Sequence, residues 1–414
     1  MIIEKFLTLY MKEATRRSFF FENTESNSPP RLANGKPCLL YIHIPFCEEL
    51  CPYCSFNRVR LDYPLAVAYF SSLRKEIEIY RELGYVFDSV YIGGGTPTCL
   101  PDEIGSVIDL VKKIWPISQI SIETNPNHLT PEILLILKEA GVNRLSVGVQ
   151  TFNNQLLKTM DRLERYGRGE EIKERLSSII GLFDTLNCDM IFNFPTQTKA
   201  MLDNDLDIVH EMGIDQVTFY PLMVSKATRK ILSERFGRIS YIKEREFFRE
   251  IQERMKGASY DPSSAWCFSR KKGMIDEYIV NYGDYAGIGS GSFGYMDGTI
   301  YSNTFDIKNY IDRIKRGELP IIAKKRFSKR EMMRYDFLMR LFGMSMDIRM
   351  FEEKYGISPF YELWKEILFF IAIGSISLKN GKVRLTKRGQ YYWVIMMREF
   401  FTAVNNFRDY CRKI

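Results

Sequence analysis

The chain has 414 residues, 45% of them hydrophobic, enough for a sizeable core divided among about two or three folding units. Its net charge of +7, from 58 basic and 51 acidic residues, is too mild a surplus to define a nucleic-acid or membrane partner. Eight cysteines behind an N-terminus broken by Lys12, Glu13, Arg16 and Arg17, with no cleavage site, point to no secretory signal and a reducing, cytoplasmic setting.

Residues Glu22 to Lys36 are polar, with Pro and Gly, and are expected to link a short helix to the first core strand, making residues 1–37 a leader. From there to about residue 260, short runs rich in Ile, Val, Tyr and Phe alternate with longer helical patterns, as in a parallel sheet with crossover helices. Six strands are predicted: Leu39 to Ile44, Ser89 to Ile92, Gln119 to Glu123, Arg144 to Val149, Cys188 to Phe192 and Gln216 to Tyr220. Right-handed crossovers curl such units into an α/β fold, an open (β/α)6 partial TIM-type barrel over residues 38–260, with its chemistry at the strand C-termini. Residues 261–323 carry Gly287, Gly289, Gly291, Gly294 and Gly298 among aromatic residues and are expected to turn tightly across the barrel mouth. Residues 324–414 read as helix, helix and hairpin. Asn380-Gly381 between Ile376 to Leu378 and Val383 to Leu385 predicts a C-terminal winged-helix-like α+β domain. The apolar run Ile367 to Leu378 holds 12 residues, too short to span a bilayer, and reads as a buried helix end.

Tyr41-Ile-His-Ile-Pro-Phe-Cys47-Glu-Glu-Leu-Cys51-Pro-Tyr-Cys54 puts three thiols on one loop past the first strand, spaced to converge on one inorganic centre. Thiolates favour an iron-sulfur cluster or zinc. A structural zinc needs a fourth ligand, and the near candidates, Cys38 and His43, belong to the strand. A [4Fe-4S] cluster normally takes four cysteines, so three leave one iron open to a cofactor. The amine and carboxylate of S-adenosylmethionine (SAM) can chelate that iron and hold the sulfonium beside it. One βα unit later, Gly93-Gly94-Gly95-Thr96-Pro97-Thr98 ends the second strand, where glycines allow close approach and bare backbone groups can pair with the methionine end of SAM.

Followed in order by Ser121-Ile-Glu123-Thr-Asn125-Pro126, Gly148-Val-Gln150-Thr-Phe152 and Asp189-Met-Ile-Phe-Asn-Phe-Pro195, these motifs closely resemble the oxygen-independent coproporphyrinogen III oxidase (dehydrogenase) family of radical SAM proteins. That family includes haem-chaperone and anaerobic haem-degrading branches, and the resemblance runs from about residue 38 to the end. It implies that Cys47, Cys51 and Cys54 bind the cluster and that Tyr41, Gly94, Gly95, Thr96, Glu123, Gln150, Arg162 and Asp189 contact SAM. In such a site Asp189 accepts ribose hydroxyls, Glu123 pairs with the ammonium, and Arg162 pairs with the SAM carboxylate or a substrate acid. Some members bind a second SAM, with Tyr53 and Phe293 at matching positions. The implied activity is cleavage of SAM to a 5′-deoxyadenosyl radical acting on a tetrapyrrole, foremost the oxidative decarboxylation of coproporphyrinogen III. Haem ring opening or methyl transfer stands beside it, and haem carriage is the non-catalytic alternative. An electron donor such as a flavodoxin or ferredoxin is implied.

Two departures qualify the resemblance. Ser55-Phe56 stands where the dehydrogenase proper has a fourth cysteine two residues after the third, a pattern nearer the chaperone and haem-degrading branches. Met274-Ile-Asp-Glu277-Tyr278-Ile stands where the chaperone branch has its histidine motif, and the histidines here, His43, His128 and His210, all precede residue 211.

Trp266-Cys267-Phe268-Ser269-Arg270 and Asp276-Glu277-Tyr278 are expected to face the reacting centre, with Cys267 or Tyr278 donating a hydrogen atom or proton. The alternative is Cys267 as a small buried hydrophobe. Arg270, Lys271, Lys272 and the run Lys324, Lys325, Arg326, Lys329, Arg330 offer partners for tetrapyrrole carboxylates. No aromatic-basic stacking pattern points to RNA.

Overall fold

The structure, a computed structural model, describes residues 2–18, 29–30, 37–271 and 283–412. Six strands lie side by side in chain order and parallel: β1 Cys38–Ile44, β2 Phe87–Gly94, β3 Gln119–Thr124, β4 Arg144–Gln150, β5 Thr185–Phe192 and β6 Gln216–Pro221. Helices Tyr63–Glu82, Pro101–Ile114, Pro131–Ala140, Gly169–Ser177 and Lys199–Met212 run between them, giving the expected open (β/α)6 partial barrel. Every strand is longer than its apolar run, because the ladder continues through polar and glycine positions such as Gly93, Gly94 and Gln150.

Side chains alternate across each strand, and here the two faces differ in chemistry. Leu145, Val147, Cys188, Met190, Val217 and Phe219 are buried apolar residues of the core. The intervening residues of β3 to β6 are polar, and they bond to one another inside the barrel. Arg144 donates from Nε to Gln216 Oε1 at 2.8 Å and from Nη1 to Ser121 Oγ at 3.1 Å. Asn187 Nδ2 donates to Ser146 Oγ at 2.8 Å, and Thr218 Oγ1 donates to Asn187 Oδ1 at 3.1 Å. Such a closed network is rigid, because breaking one bond strands a buried polar group.

The sheet continues beyond both barrel edges to 12 strands. On one side β8 Cys267–Ser269 pairs antiparallel with β6, and β7 Asp261–Pro262 antiparallel with β8; on the other, β9 Tyr285–Ile288 pairs parallel with β1 and is followed antiparallel by β10 Phe293–Met296, β11 Thr299–Asn303 and β12 Ile321–Arg326. The described part of residues 261–323 thus departs from the expected place across the mouth. Its glycines serve reversal: Gly289 and Gly291, at φ +88° and +86°, turn the chain from β9 into β10. Pairing also covers both barrel edges, which unpaired would expose N–H and C=O groups.

The C-terminal region is mostly helical, with Lys329–Phe342, Ile348–Tyr355, Trp364–Ala372 and Lys387–Cys411 around a small antiparallel sheet, β13 Ser345–Asp347, β14 Ile376–Lys379 and β15 Lys382–Leu385, in the order β13-β15-β14. Asn380 and Gly381 make the predicted hairpin turn, with φ +52° and +69°. The run expected to be a buried helix end buries Ile367 and Phe370 but leaves Leu368 59% and Ile371 40% exposed, since a surface helix packs only one face. The N-terminal helix Ile2–Ser18 lies along the C-terminal helix, where Arg398 Nη2 donates to Thr8 Oγ1 at 3.4 Å. No helix among the described residues is long and apolar enough to cross a membrane.

Candidate active site

Past β1, Phe46–Cys47 pairs with Val59–Arg60, closing at its base the loop that carries the three cysteines. Val59 N–H donates to Pro45 O at 2.7 Å and Leu61 N–H to Cys47 O at 2.8 Å. Inside the loop Cys54 N–H donates to Cys51 O at 3.2 Å, while Arg58 Nη2 donates to Cys54 O at 3.1 Å and also to Cys51 O. Cys47 and Cys51 are buried, Cys54 is half-buried, and all three are free thiols. Burial pushes the Cys47 thiol up to about 12, against the pull of the Thr96 hydroxyl, and a bound metal would take the place of the proton.

The glycine turn at the end of β2 lies directly on that loop. Gly95 N–H donates to Ile44 O at 2.8 Å and Thr96 N–H to Phe46 O at 2.7 Å. A Cβ on Gly95 would fall 2.5 Å from Phe46 O and 3.0 Å from Cys47 Sγ, so no larger residue fits between turn and thiol. Thr96 Oγ1 is 3.5 Å from Cys47 Sγ and accepts from Asn125 Nδ2 at 2.8 Å. Glu123, near the end of β3, accepts Gly94 N–H at 3.1 Å and the Tyr91 hydroxyl at 3.0 Å. Burial first, and then the charge of Asp189, push its carboxyl up to about 7 although both hydrogen bonds favour the ionised form.

Asp189 is aimed by the barrel network: Ser146 Oγ donates to Oδ2 and Asn187 Nδ2 to Oδ1, each at 2.8 Å. At the end of β4 the ladder bulges between Gly148 and Gln150, and Gln150 takes φ +75°, a left-handed conformation unusual for a residue with a side chain. Asp205 fixes the turn behind it, accepting from Thr151 Oγ1 at 2.8 Å and from Phe152 N–H at 2.7 Å. Arg162 is 3% exposed. Its Nη2 donates to Gly148 O at 2.5 Å, Nη1 lies 3.4 Å from Tyr53 Oη and 3.6 Å from Cys51 Sγ, and its guanidinium sits 4.0 Å over the Tyr166 ring. Its buried Nε has no hydrogen-bond partner.

These side chains line one cavity of about 190 Å³ at the C-terminal ends of the strands. Cys47, Cys51, Cys54, Tyr53, Gly94, Gly95, Thr96, Glu123, Gln150, Arg162 and Asp189 are all in its wall. Tyr41 is not; its hydroxyl bonds to His43 Nδ1 at 2.9 Å and its ring lies 6.2 Å from that of Tyr91, whose hydroxyl donates to Glu123. Phe293 also stands apart, packed on Phe305 and Phe407. Cys267 is fully buried on β8, opposite Thr218, whose Oγ1 lies 3.5 Å from its thiol; it does not reach the cavity, the position of a packed core thiol rather than a donor to substrate. Tyr278, with Lys272, Asp276 and Glu277, lies outside the described residues. Sequence reasoning missed Arg58, Tyr166, Tyr220, Phe401 and Asn405 in or beside this wall. Arg58 adjoins the cysteine motif and was the one within reach of a local signal.

Among the described residues no three His, Cys, Asp or Glu side chains gather as a site for a single metal ion. A cluster differs from zinc in setting several irons between its ligands, so thiols spread along one loop suit it. With a glycine turn pressed to that loop, and a carboxylate pair and a buried guanidinium nearby, the donor set fits an iron-sulfur cluster and an amino-acid cofactor.

A parallel barrel with three loop cysteines after its first strand and a glycine turn after its second defines a radical SAM protein. The model of the radical SAM superfamily matches residues 41–224. The chain is 31% identical over 372 residues to the haem chaperone HemW of Bacillus subtilis strain 168, covering 84% of this chain and 95% of that one. It is 26% identical over 389 residues to an oxygen-independent coproporphyrinogen III oxidase of Pseudomonas aeruginosa, covering 86% and 84%. The fold matches that of coproporphyrinogen III oxidase HemN of Escherichia coli with a TM-score of 0.74 over 94% of this chain and 92% of that one, at 21% identity. The chain belongs to the radical SAM superfamily, in the family that unites oxygen-independent coproporphyrinogen III oxidases and HemW haem chaperones. Its cofactors are those of the superfamily, a [4Fe-4S] cluster and SAM.

Proposed function

We propose that Cys47, Cys51 and Cys54 hold the [4Fe-4S] cluster, that SAM lies across the ends of β2 to β5, and that the ligand acted upon is a tetrapyrrole. The observation that carries this reading is the meeting of three thiols, a glycine turn, Glu123, Asp189 and Arg162 in one cavity, brought there by separate βα units. When bound, the cluster supplies the electron that splits SAM and yields the 5′-deoxyadenosyl radical. Glu123 takes the SAM ammonium, with Gly94 and Tyr91 holding its carboxylate in place. Asp189, held by Ser146 and Asn187 at the end of β5, accepts the ribose hydroxyls. The buried, unpartnered Nε of Arg162 awaits an acid, from SAM or from substrate. Tyr53, Leu222 and Phe401 wall the cavity and exclude water. A flavodoxin or ferredoxin is the fitting electron donor.

For the tetrapyrrole step we favour oxidative decarboxylation of the coproporphyrinogen III type, because Glu123, Asp189 and Arg162 gather beside the three cysteines as in a site for SAM cleavage and a relative 26% identical over 86% of this chain is an oxygen-independent coproporphyrinogen III oxidase. Haem carriage is the second reading, favoured by the 31% identity to HemW and by Phe56 in place of a fourth cysteine. One experiment separates them. Anaerobically reconstituted protein is given SAM, a reductant and either coproporphyrinogen III or haem, and 5′-deoxyadenosine, S-adenosylhomocysteine and product mass are followed. Loss of carbon dioxide supports decarboxylation and added methyl groups support transfer. Stoichiometric haem uptake without SAM turnover supports carriage and overturns the catalytic reading.

A further inference from the structure

We propose that the last two turns of the C-terminal helix and the residue that caps it form a latch on the cysteine loop, with Asn405 and Arg412 as positioning residues for the inorganic centre; the inference rests on the cluster reading above. Asn405 Nδ2 donates to Ser55 Oγ at 2.9 Å, one residue past Cys54. Arg412 Nη2 donates to Asn57 Oδ1 and, at 3.5 Å, to Arg58 O, across 354 residues of sequence. Asn405 and Phe401 also face the cavity itself. Between them and Arg412, Phe407 packs on Phe293 and Phe305, fixing the helix to the edge of the sheet.

Asn57 is the junction that makes this a latch rather than a surface contact. It is 5% exposed; its carbonyl accepts from His43 Nε2 at 2.9 Å, and its Nδ2 donates to Ser290 O at 3.2 Å in the turn between β9 and β10. A Cβ on Gly291 would fall 2.1 Å from that Nδ2, so turn and asparagine are in direct contact. Arg412 supplies the donor for the remaining side-chain atom, Oδ1. With Asn57 held on every side, the next residue, Arg58, is placed to reach back over the loop to the carbonyls of Cys51 and Cys54. Outer partners of this kind orient metal ligands. Removing Arg412 leaves a buried acceptor unpaired and frees the segment on which Arg58 depends.

The test uses the full chain with Arg412→Ala, Asn405→Ala, the double variant and the charge-preserving Arg412→Lys. In cluster-loaded protein, the rate of cluster loss to an iron chelator is followed by absorbance. In the cluster-free chain, amide hydrogen exchange is read at residues 54–58. Losing one charge-assisted hydrogen bond predicts roughly tenfold faster cluster loss and faster loop exchange in Arg412→Ala, largely restored in Arg412→Lys. Asn405→Ala, about two turns further in, carries the test if Arg412→Ala does not fold. Wild-type chelation rates together with unchanged exchange overturn the latch. If the wild type assembles no cluster, the cluster reading falls, while faster exchange at residues 54–58 still supports the latch and unchanged exchange removes it.

Discussion

Replacing Glu123 by Gln isolates the charge of that carboxylate from its shape. Both oxygens are engaged, one by Gly94 N–H at 3.1 Å and one by the Tyr91 hydroxyl at 3.0 Å. Glutamine keeps an acceptor for Gly94, and its amide nitrogen can donate to the Tyr91 oxygen once that hydroxyl turns, so the fold should be kept. What is lost is one charge-assisted bond to an ammonium, worth about 1.5–3 kcal/mol, or roughly 10- to 150-fold in the dissociation constant of SAM. The pH dependence adds a second signature. Because burial pushes the carboxyl up to about 7, ionising it becomes part of the binding cost in acid, and wild-type affinity should fall about tenfold per pH unit below that value. Glutamine does not titrate, so the ratio of wild-type to variant affinity should grow from about pH 6 to about pH 8. For folding without SAM the sign is opposite. The folded chain binds the proton more tightly than the unfolded one, so this group's contribution to stability falls as pH rises from 4.5 to about 7. Anaerobic calorimetry of SAM binding to reconstituted protein at several pH values measures both effects. A constant wild-type to variant ratio across that range, or equal affinities throughout, would refute the assignment of the ammonium to Glu123.

Two further substitutions probe the site from different sides. Gly95→Ala drives a Cβ to within 2.5 Å of Phe46 O, so the strand Phe46–Cys47 must shift. A cost of about 1–3 kcal/mol in thermal or denaturant unfolding, with reduced iron content after reconstitution, is expected; a variant with wild-type stability and iron content contradicts the close fit of turn to thiol. Cys267→Ala removes a fully buried thiol outside the cavity wall and should cost on the order of 1 kcal/mol while product formation proceeds at the wild-type rate. Product loss in a folded Cys267→Ala protein would restore the thiol as a donor to substrate.

The six barrel strands were legible because each is buried on its outer face by a helix and so leaves a short apolar run, repeated at crossover spacing. Their polar inner residues cut those runs short, which is why Thr185 to Asn187, with Asn187 holding Asp189, lie outside the predicted fifth strand. The glycines and aromatic residues after residue 261 point, in sequence, to a cover for the mouth. Those glycines instead turn strands back along the sheet edge, a choice made by the pairing partner β1 and invisible in the segment itself.

The amino-acid order alone determined the local chemistry: three thiols within eight residues of one another, a glycine turn that must lie close to something, and carboxylates at strand ends. Only the tertiary structure decided which distant residues complete that chemistry. Arg58 folds back on the cysteine carbonyls, Tyr166 stacks under Arg162, and Asn405 and Arg412 arrive from the far end of the chain. The physical reason is range: a motif is written in neighbours along the backbone, whereas a cavity wall is written in whatever side chains packing brings together, and no periodicity records that meeting.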